Sequence, residues 1–117
     1  MTDGTPHPVF SITVQRQPDQ VALVHCRGRL VNDSTEILSS GVQPLFPECR
    51  RVLLDLTELN HINSKGVGAL VTLHFAAKAA GSNLELVNLS QHVRHVLGVT
   101  RLLGFFTVVG ENPANPT

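Results

Sequence analysis

The stretch Asn63-Ser64-Lys65-Gly66 is the part of this chain best suited to side-chain chemistry. It joins a polar run ending at Ile62 to a long helical pattern, Lys65 to Ala80. A helix start gathers free N–H groups and the positive end of the helix dipole. A hydroxyl there suits phosphorylation, because those donors stabilise an added phosphate. Asn63 and Ser64 also serve well as plain N-caps. Residue type alone does not separate a cap from a phosphosite. The segment is no P-loop, since the G-x-x-x-x-G-K-S/T spacing is missing.

Other reactive residue types are dispersed. Six histidines are present, and His92 and His95 stand i, i+3 on a short helical pattern. No Cys, Asp or Glu falls nearby at ligand spacing, so no metal site is expected. His61 precedes the long helix, in what reads as a loop, and is a candidate for recognition. His74 reads as a half-buried packing residue beside Phe75. Cys26 sits in a strand pattern and reads as an inert thiol. Cys49 has only Arg50 and Arg51 beside it, which is weak support for nucleophilic catalysis. Asp55 reads as facing a sheet end and Glu58 as lying in a loop, so no carboxylate pair is set for acid/base work. Neither a catalytic constellation nor a cofactor motif is visible, and a non-enzymatic protein is expected.

These residues need a scaffold, and the patterning supplies one. Val9 to Val14 and Val21 to Cys26 read as strands around the turn Gln17-Pro18-Asp19, an antiparallel hairpin. Gly28 to Leu30 reads as a connection. Asn32-Asp33-Ser34 are helix-cap types ahead of Ile37 and Leu38. Arg51 to Leu56 is a nearly unbroken apolar run, which predicts a central strand covered on both faces. The long helix ends before Gly81. It is apolar almost all round, so either two sides are covered or one face awaits a partner. Leu84 to Val87 is a strand, Ser90 caps a short helix, and Phe105 to Val109 closes as a strand. The order β-β-α-β-α-β-α-β predicts an α/β fold, a mixed sheet with helices on one or both faces. Residues 1–8 read as a flexible lead-in, 9–110 as the domain and 111–117 as a disordered tail.

Composition bounds the function. At 117 residues there is room for one core. Nine basic and nine acidic residues balance to a net charge of +0, which argues against non-specific nucleic-acid or membrane-surface binding. Five Phe with no Trp or Tyr leave little for stacking on bases. Two cysteines make no disulfide scaffold. No apolar run approaches the roughly 18 residues of a membrane span, and the start lacks a signal-peptide pattern. A cytoplasmic domain is expected. Its near-neutral surface repels a second copy weakly, so a homodimer is an open option.

The ordered set of segments resembles the STAS domain, found in bacterial anti-sigma factor antagonists and sulfate-transporter tails. Val52-Leu53-Leu54-Asp55-Leu56 followed by Ile62-Asn63-Ser64-Lys65-Gly66-Val67-Gly68-Ala69-Leu70 carries the resemblance. Gly28-Arg29-Leu30 upstream, and Leu84 to Asn88, Val93 to Leu97 and Thr100 to Leu103 downstream, match further family segments. The resemblance implies a mixed sheet with helices mainly on one face. It also implies a protein partner, an anti-sigma factor that is a Ser/Thr kinase, bound in partner switching. In that scheme a serine at the start of the long helix is phosphorylated and the partner leaves.

This chain departs from the family pattern at several positions. Lys65 stands where the usual phosphoacceptor serine is found. Ser64 matches the family's other serine and is the remaining candidate phosphosite. Asn63 replaces an aspartate. Val31 follows the G-x-L element in place of an acidic residue, with Asp33 two positions on. The family's terminal helix is absent or very short after Val109. The resemblance implies partner contacts at Asn32, Asp33, His61, Asn63, Ser64, Lys65, Gly66 and Val67. The alternative is a STAS subunit that docks without phosphorylation in a larger assembly, such as a lipid-transport ABC complex or a stress-signalling complex.

Overall fold

The computed structural model describes residues 9–109. The lead-in at 1–8, the tail at 111–117 and any helix after Val109 lie outside the described residues. Strands β1 (Phe10–Gln17), β2 (Val21–Leu30), β3 (Arg51–Ile62), β4 (Asn83–Val87) and β5 (Thr107–Val109) alternate with helices α1 (Ser34–Val42), α2 (Ser64–Ala79) and α3 (Gln91–Val99). A single 3₁₀ turn, Gln43–Leu45, follows α1. The five strands form one sheet in sequence order. β1 and β2 pair antiparallel and every later pair is parallel. Right-handed crossovers that all step the same way along a sheet place their helices on one face. α1 packs on β1 and β2, α2 on β3 and β4, and α3 chiefly on β3.

The hairpin turns through Pro18–Gln20, with Asp19 and Gln20 in the left-handed region at φ 63° and 60°. Arg50 holds this tip from the start of β3: its backbone N–H donates to Gln20 O at 2.8 Å and its Nε to Asp19 O at 2.9 Å. The core face of β2 carries Ala22, Val24, Cys26 and Leu30, and that of β3 carries Val52, Leu54, Leu56, Leu59 and Ile62, all buried. The spacing along β3 is two, two, three and three. A flat strand would turn Leu59 to the opposite face. Two register shifts against β2, one between His25 and Arg27 and one between Gly28 and Arg29, absorb the extra residues. Each behaves as a β-bulge, keeping Leu59 and Ile62 on the core.

Several sequence expectations change here. Residues 57–62 are not a loop but the second half of β3, so His61 and Glu58 are strand residues. Gly28 to Leu30 is not a connection but the end of β2. β3 is not covered on both faces: Arg51, Leu53 and Asp55 alternate as half-buried residues on a face without α1 or α2. The continuous apolar look of 52–54 came from Leu53, which lies on that open face. Asp55 accordingly stands mid-sheet rather than at a sheet end, across from His25. Phe105 and Phe106 precede β5, which is shorter than expected.

Gly28 has φ 107° inside β2, a conformation costly for other residues, and a Cβ there would run into the Val9 carbonyl. Ser34 secures the turn from β2 to α1. Its Oγ accepts from Val31 N at 2.8 Å and lies 2.9 Å from Arg29 O and 2.7 Å from Val31 O, either of which can accept its single proton. Ser34 is buried, so losing the hydroxyl strands polar backbone groups. Ser34→Ala is expected to lower unfolding free energy by about 1–3 kcal/mol in urea titration. A loss below about 0.5 kcal/mol would show that water replaces these bonds.

Candidate partner-contact site

The start of α2 is built by close approach. Gly66 lies buried in its first turn, and a Cβ there would run into the Leu30 carbonyl oxygen and lie 2.7 Å from Ile62 Cγ1. Only glycine lets α2 descend this far onto the ends of β2 and β3. Asn63 is the N-cap: its Oδ1 accepts from Gly66 N at 3.0 Å, and its carbonyl accepts from Val67 N at 2.9 Å. Its Nδ2 donates to Asn32 Oδ1 at 3.3 Å, joining the α1 and α2 entrances. Asn32 itself takes φ 44°, a conformation asparagine tolerates better than most residues.

Of the sequence-predicted site residues, Asn32, Asp33, Ser64 and Lys65 are exposed, Asn63 is half-buried, and Gly66 and Val67 are buried. Asn32, Asn63 and Gly66 form one hydrogen-bonded unit, with Ser64 and Lys65 following the cap. The cap assignment is therefore resolved: Asn63 caps and Ser64 does not. Asp33 occupies the N-cap of α1 but makes no side-chain cap bond. Ser34 and Ser90 are committed elsewhere, Ser90 Oγ donating to Leu59 O at 2.7 Å and accepting from Val93 N at 3.3 Å. His61 stands on β3 as the ladder partner of Arg29. Its ring stacks on His92 of α3, centroids 4.8 Å apart and planes 20° apart. That contact was not visible in the sequence, because the apparent loop hid which face His61 takes.

A shallow apolar cavity of about 420 Å³ borders the site, lined by Val9, Val31, Asn32, Asp33, Ser34 and Ile37. A second cavity of about 390 Å³ lies on the open sheet face among Thr13, His25, Arg27, Asp55 and Glu58. There His25 Nδ1 meets Asp55 Oδ2 at 3.1 Å and Arg27 Nε meets Glu58 Oε1 at 2.6 Å. Burial pushes the Asp55 carboxyl up. The Thr57 hydroxyl and amide, the charge of His25 and the Asn88 side chain outweigh it and hold the carboxyl below its ordinary value. His74 moves down, through burial and nearby Lys78. Burial, with a smaller contribution from Asp55, pushes the Cys26 thiol up to about 12, so it stays protonated and unreactive. Cys49 is buried, and Arg16 Nη1 reaches its sulfur at 3.7 Å, a basic neighbour not evident from sequence. Among the described residues no group of three His, Cys, Asp or Glu is placed to hold a metal. No described helix is long and apolar enough to cross a membrane.

The family model described as "Mlab, STAS domain" matches residues 13–109. The chain belongs to the STAS domain family. Solved structures share the fold at low identity. The anti-sigma factor antagonist SpoIIAA in its unphosphorylated form matches with TM-score 0.71 and 17% identity over 90% of this chain and 93% of that one. An anti-sigma factor antagonist from Mycobacterium paratuberculosis gives 0.73 and 16% over 90% and 89%. A STAS-domain protein from Planctomyces limnophilus gives 0.69 and 21% over 90% and 94%. No curated protein matches the sequence significantly.

Two outcomes test this geometry. Asn63→Ala is expected to cost about 1 kcal/mol of stability through the lost cap, whereas Ser64→Ala costs less than about 0.5 kcal/mol. Urea titration of both reads the difference, and a larger loss in Ser64→Ala than in Asn63→Ala would contradict the assignment of the cap to Asn63. The second concerns acid. A carboxyl held below its ordinary value stabilises the fold above that value and loses this contribution as pH falls through the folded value. Wild-type stability should therefore drop more steeply below the ordinary carboxylate value of 3.8 than that of Asp55→Asn. Parallel pH profiles would remove Asp55 from the account.

Proposed function

We propose that this STAS domain is a regulatory docking module of the anti-sigma-antagonist type. It binds a partner protein through Asn32, Asp33, His61 and the α2 start, Asn63 to Val67. The observation that carries the reading is the hydrogen-bonded entrance to α2, which leaves Ser64 and Lys65 exposed beside a half-buried cap. The partner chemistry that fits is an anti-sigma factor with Ser/Thr-kinase activity. Ser64 is the acceptor in this scheme, because it is exposed while Ser34 and Ser90 are bonded into the scaffold. A phosphate there adds a charge of about −1.5 to −2 to the contact surface, which is costly to desolvate against a partner.

Lys65 favours a second reading. It puts a fixed cation at the positive end of α2, where a cation is unfavourable unless something else requires it. A partner carboxylate facing Lys65 supplies that requirement without any phosphorylation. In this reading the domain is a constitutive subunit of a larger assembly, such as a lipid-transport ABC complex or a stress-signalling complex. Neither reading calls for catalysis by this chain.

Calorimetry with the kinase-type anti-sigma factors of the same genome tests the docking site, and ATP with mass spectrometry separates the two readings. Ser64→Asp and Lys65→Glu are each expected to weaken binding at least about tenfold, or about 1.4 kcal/mol. Stoichiometric phosphate on Ser64 selects the switching reading, and none selects the constitutive one. Undiminished binding by both variants would remove the α2 start as the interface.

A further inference from the structure

β1 ends the sheet on one side, and no described strand pairs with its outer edge. Its register with β2 runs without a shift from Phe10 opposite Gly28 to Gln17 opposite Val21. One step further, Val9 O accepts from Arg29 N at 2.8 Å. Bonded and non-bonded pairs alternate along an antiparallel ladder. Ser11, Thr13, Gln15 and Gln17 therefore bond to β2, while Phe10, Ile12, Val14 and Arg16 turn N–H and C=O toward the free edge. Native edges are commonly blunted by proline, lysine, a bulge or a very short strand. β1 has none of these: it is eight residues long, FSITVQRQ, and regular. The opposite edge, β5, has only three residues. The one charge on β1, Arg16, is held by Glu48 of its own chain at 2.6 Å. Val9 and Val14 are among the large apolar side chains left exposed, at 54% and 38%.

We infer that β1 is a self-association edge, which pairs antiparallel with β1 of a second copy and joins two sheets into one. This does not rest on the docking reading above. A two-fold axis pairs identical strands antiparallel. The longest overlap that sets edge-bonding residues opposite one another has its axis at Thr13. Ile12 then faces the partner's Val14, Phe10 the partner's Arg16, Ser11 the partner's Gln15, and Thr13 the partner's Thr13. Apolar meets apolar on the helix side and threonine meets threonine on the open side, pairs that stabilise a sheet. No like charges are brought together. About eight backbone hydrogen bonds form across the axis. α1 leaves room for this pairing. It packs on both β1 and β2, with Gly41 close against Ile12. A helix axis between those strands lies about one strand spacing from the two-fold, so the two α1 helices stand roughly 10 Å apart, an ordinary packing distance.

A second copy fits this edge better than a strand of another protein. The side-chain match comes from this sequence alone, and a net charge of +0 repels a second copy weakly. A foreign strand would satisfy the same backbone groups, but β1 carries no unpaired charge that would select one.

The test is sedimentation velocity of the whole chain from low micromolar to near-millimolar concentration. A concentration-dependent shift from one chain to two is expected. Val14→Lys keeps the backbone but sets a charge beside the partner's Ile12, and should raise the dimer dissociation constant at least about tenfold. Val14→Pro deletes an N–H aimed at the edge rather than at β2 and should do the same, with both variants checked for a cooperative unfolding transition. Phe75→Lys, at an exposed position on α2, and Lys65→Glu, at the docking site, should dimerise as the wild type does. Mild oxidation reads the register. A non-bonded antiparallel pair sets its Cα atoms about 4.5 Å apart, within disulfide reach, so Thr13→Cys should link two copies. Gln15→Cys and Phe75→Cys should link at least about tenfold more slowly. Cys26 and Cys49 are buried, so the wild type is the unlinked control. A chain that stays single over the whole range, or a dimer that Val14→Lys leaves intact, would overturn the proposal. So would linking through Gln15→Cys or Phe75→Cys at least as fast as through Thr13→Cys.

Discussion

Everything at the candidate site depends on how closely α2 approaches the end of β2. Gly66 allows that approach, because any side chain there would meet the Leu30 carbonyl. The approach brings Asn63 within reach of Asn32, so the two crossover entrances share one hydrogen-bonded junction. Once Asn63 caps the helix, Ser64 and Lys65 have no internal duty and face outward. A rigid scaffold that presents a short exposed segment is the general arrangement of binding sites in α/β domains. Here the rigidity comes from glycine packing and caps rather than from charge.

The second constraint is the length of β3. Its residues 56–62 extend beyond the pairing with β4, which ends at Asp55 and Val87. Bulges keep Leu59 and Ile62 on the core while Glu58 and His61 follow Arg27 and Arg29. α3 packs against β3, tied by Ser90 to the Leu59 carbonyl. The strand therefore links three things: the core, the open polar face and the entrance to α2. The low charge content of the chain makes its placement matter. Arg16, His25, Arg27 and Arg51 engage four of the nine acidic residues, Glu48, Asp55, Glu58 and Glu85, while Lys65 stands exposed at the α2 start.

Much of this was legible in the residues. The element order, the hairpin, the long helix and its cap types all followed from periodicity and from Ser, Asn and Gly positions. The ordered motifs pointed to the STAS family, which the family model and the shared fold support. The misreadings have physical causes. Thr57 to His61 looked like a loop because polar residues dominate, yet bulges let a strand carry that pattern. Leu53 made β3 look two-sided, although its neighbours Arg51 and Asp55 sit on the same open face. The near-uniform apolarity of α2 hid its buried stripe, Val67, Leu70, Leu73 and Ala77, which only packing reveals. The His61–His92 stack joins residues 31 positions apart, and no local pattern announces such a contact.

Partner-induced change in amide hydrogen exchange across the whole chain tests the central claim most directly. Add each purified anti-sigma factor of the same genome in turn, without ATP, as the proposed partner, and follow protection residue by residue. The account predicts new protection concentrated at Asn32, Asp33 and Ser64 to Val67. Protection confined to the α2 end around Phe75, or to the β1 edge, with none at the α2 start, would contradict it.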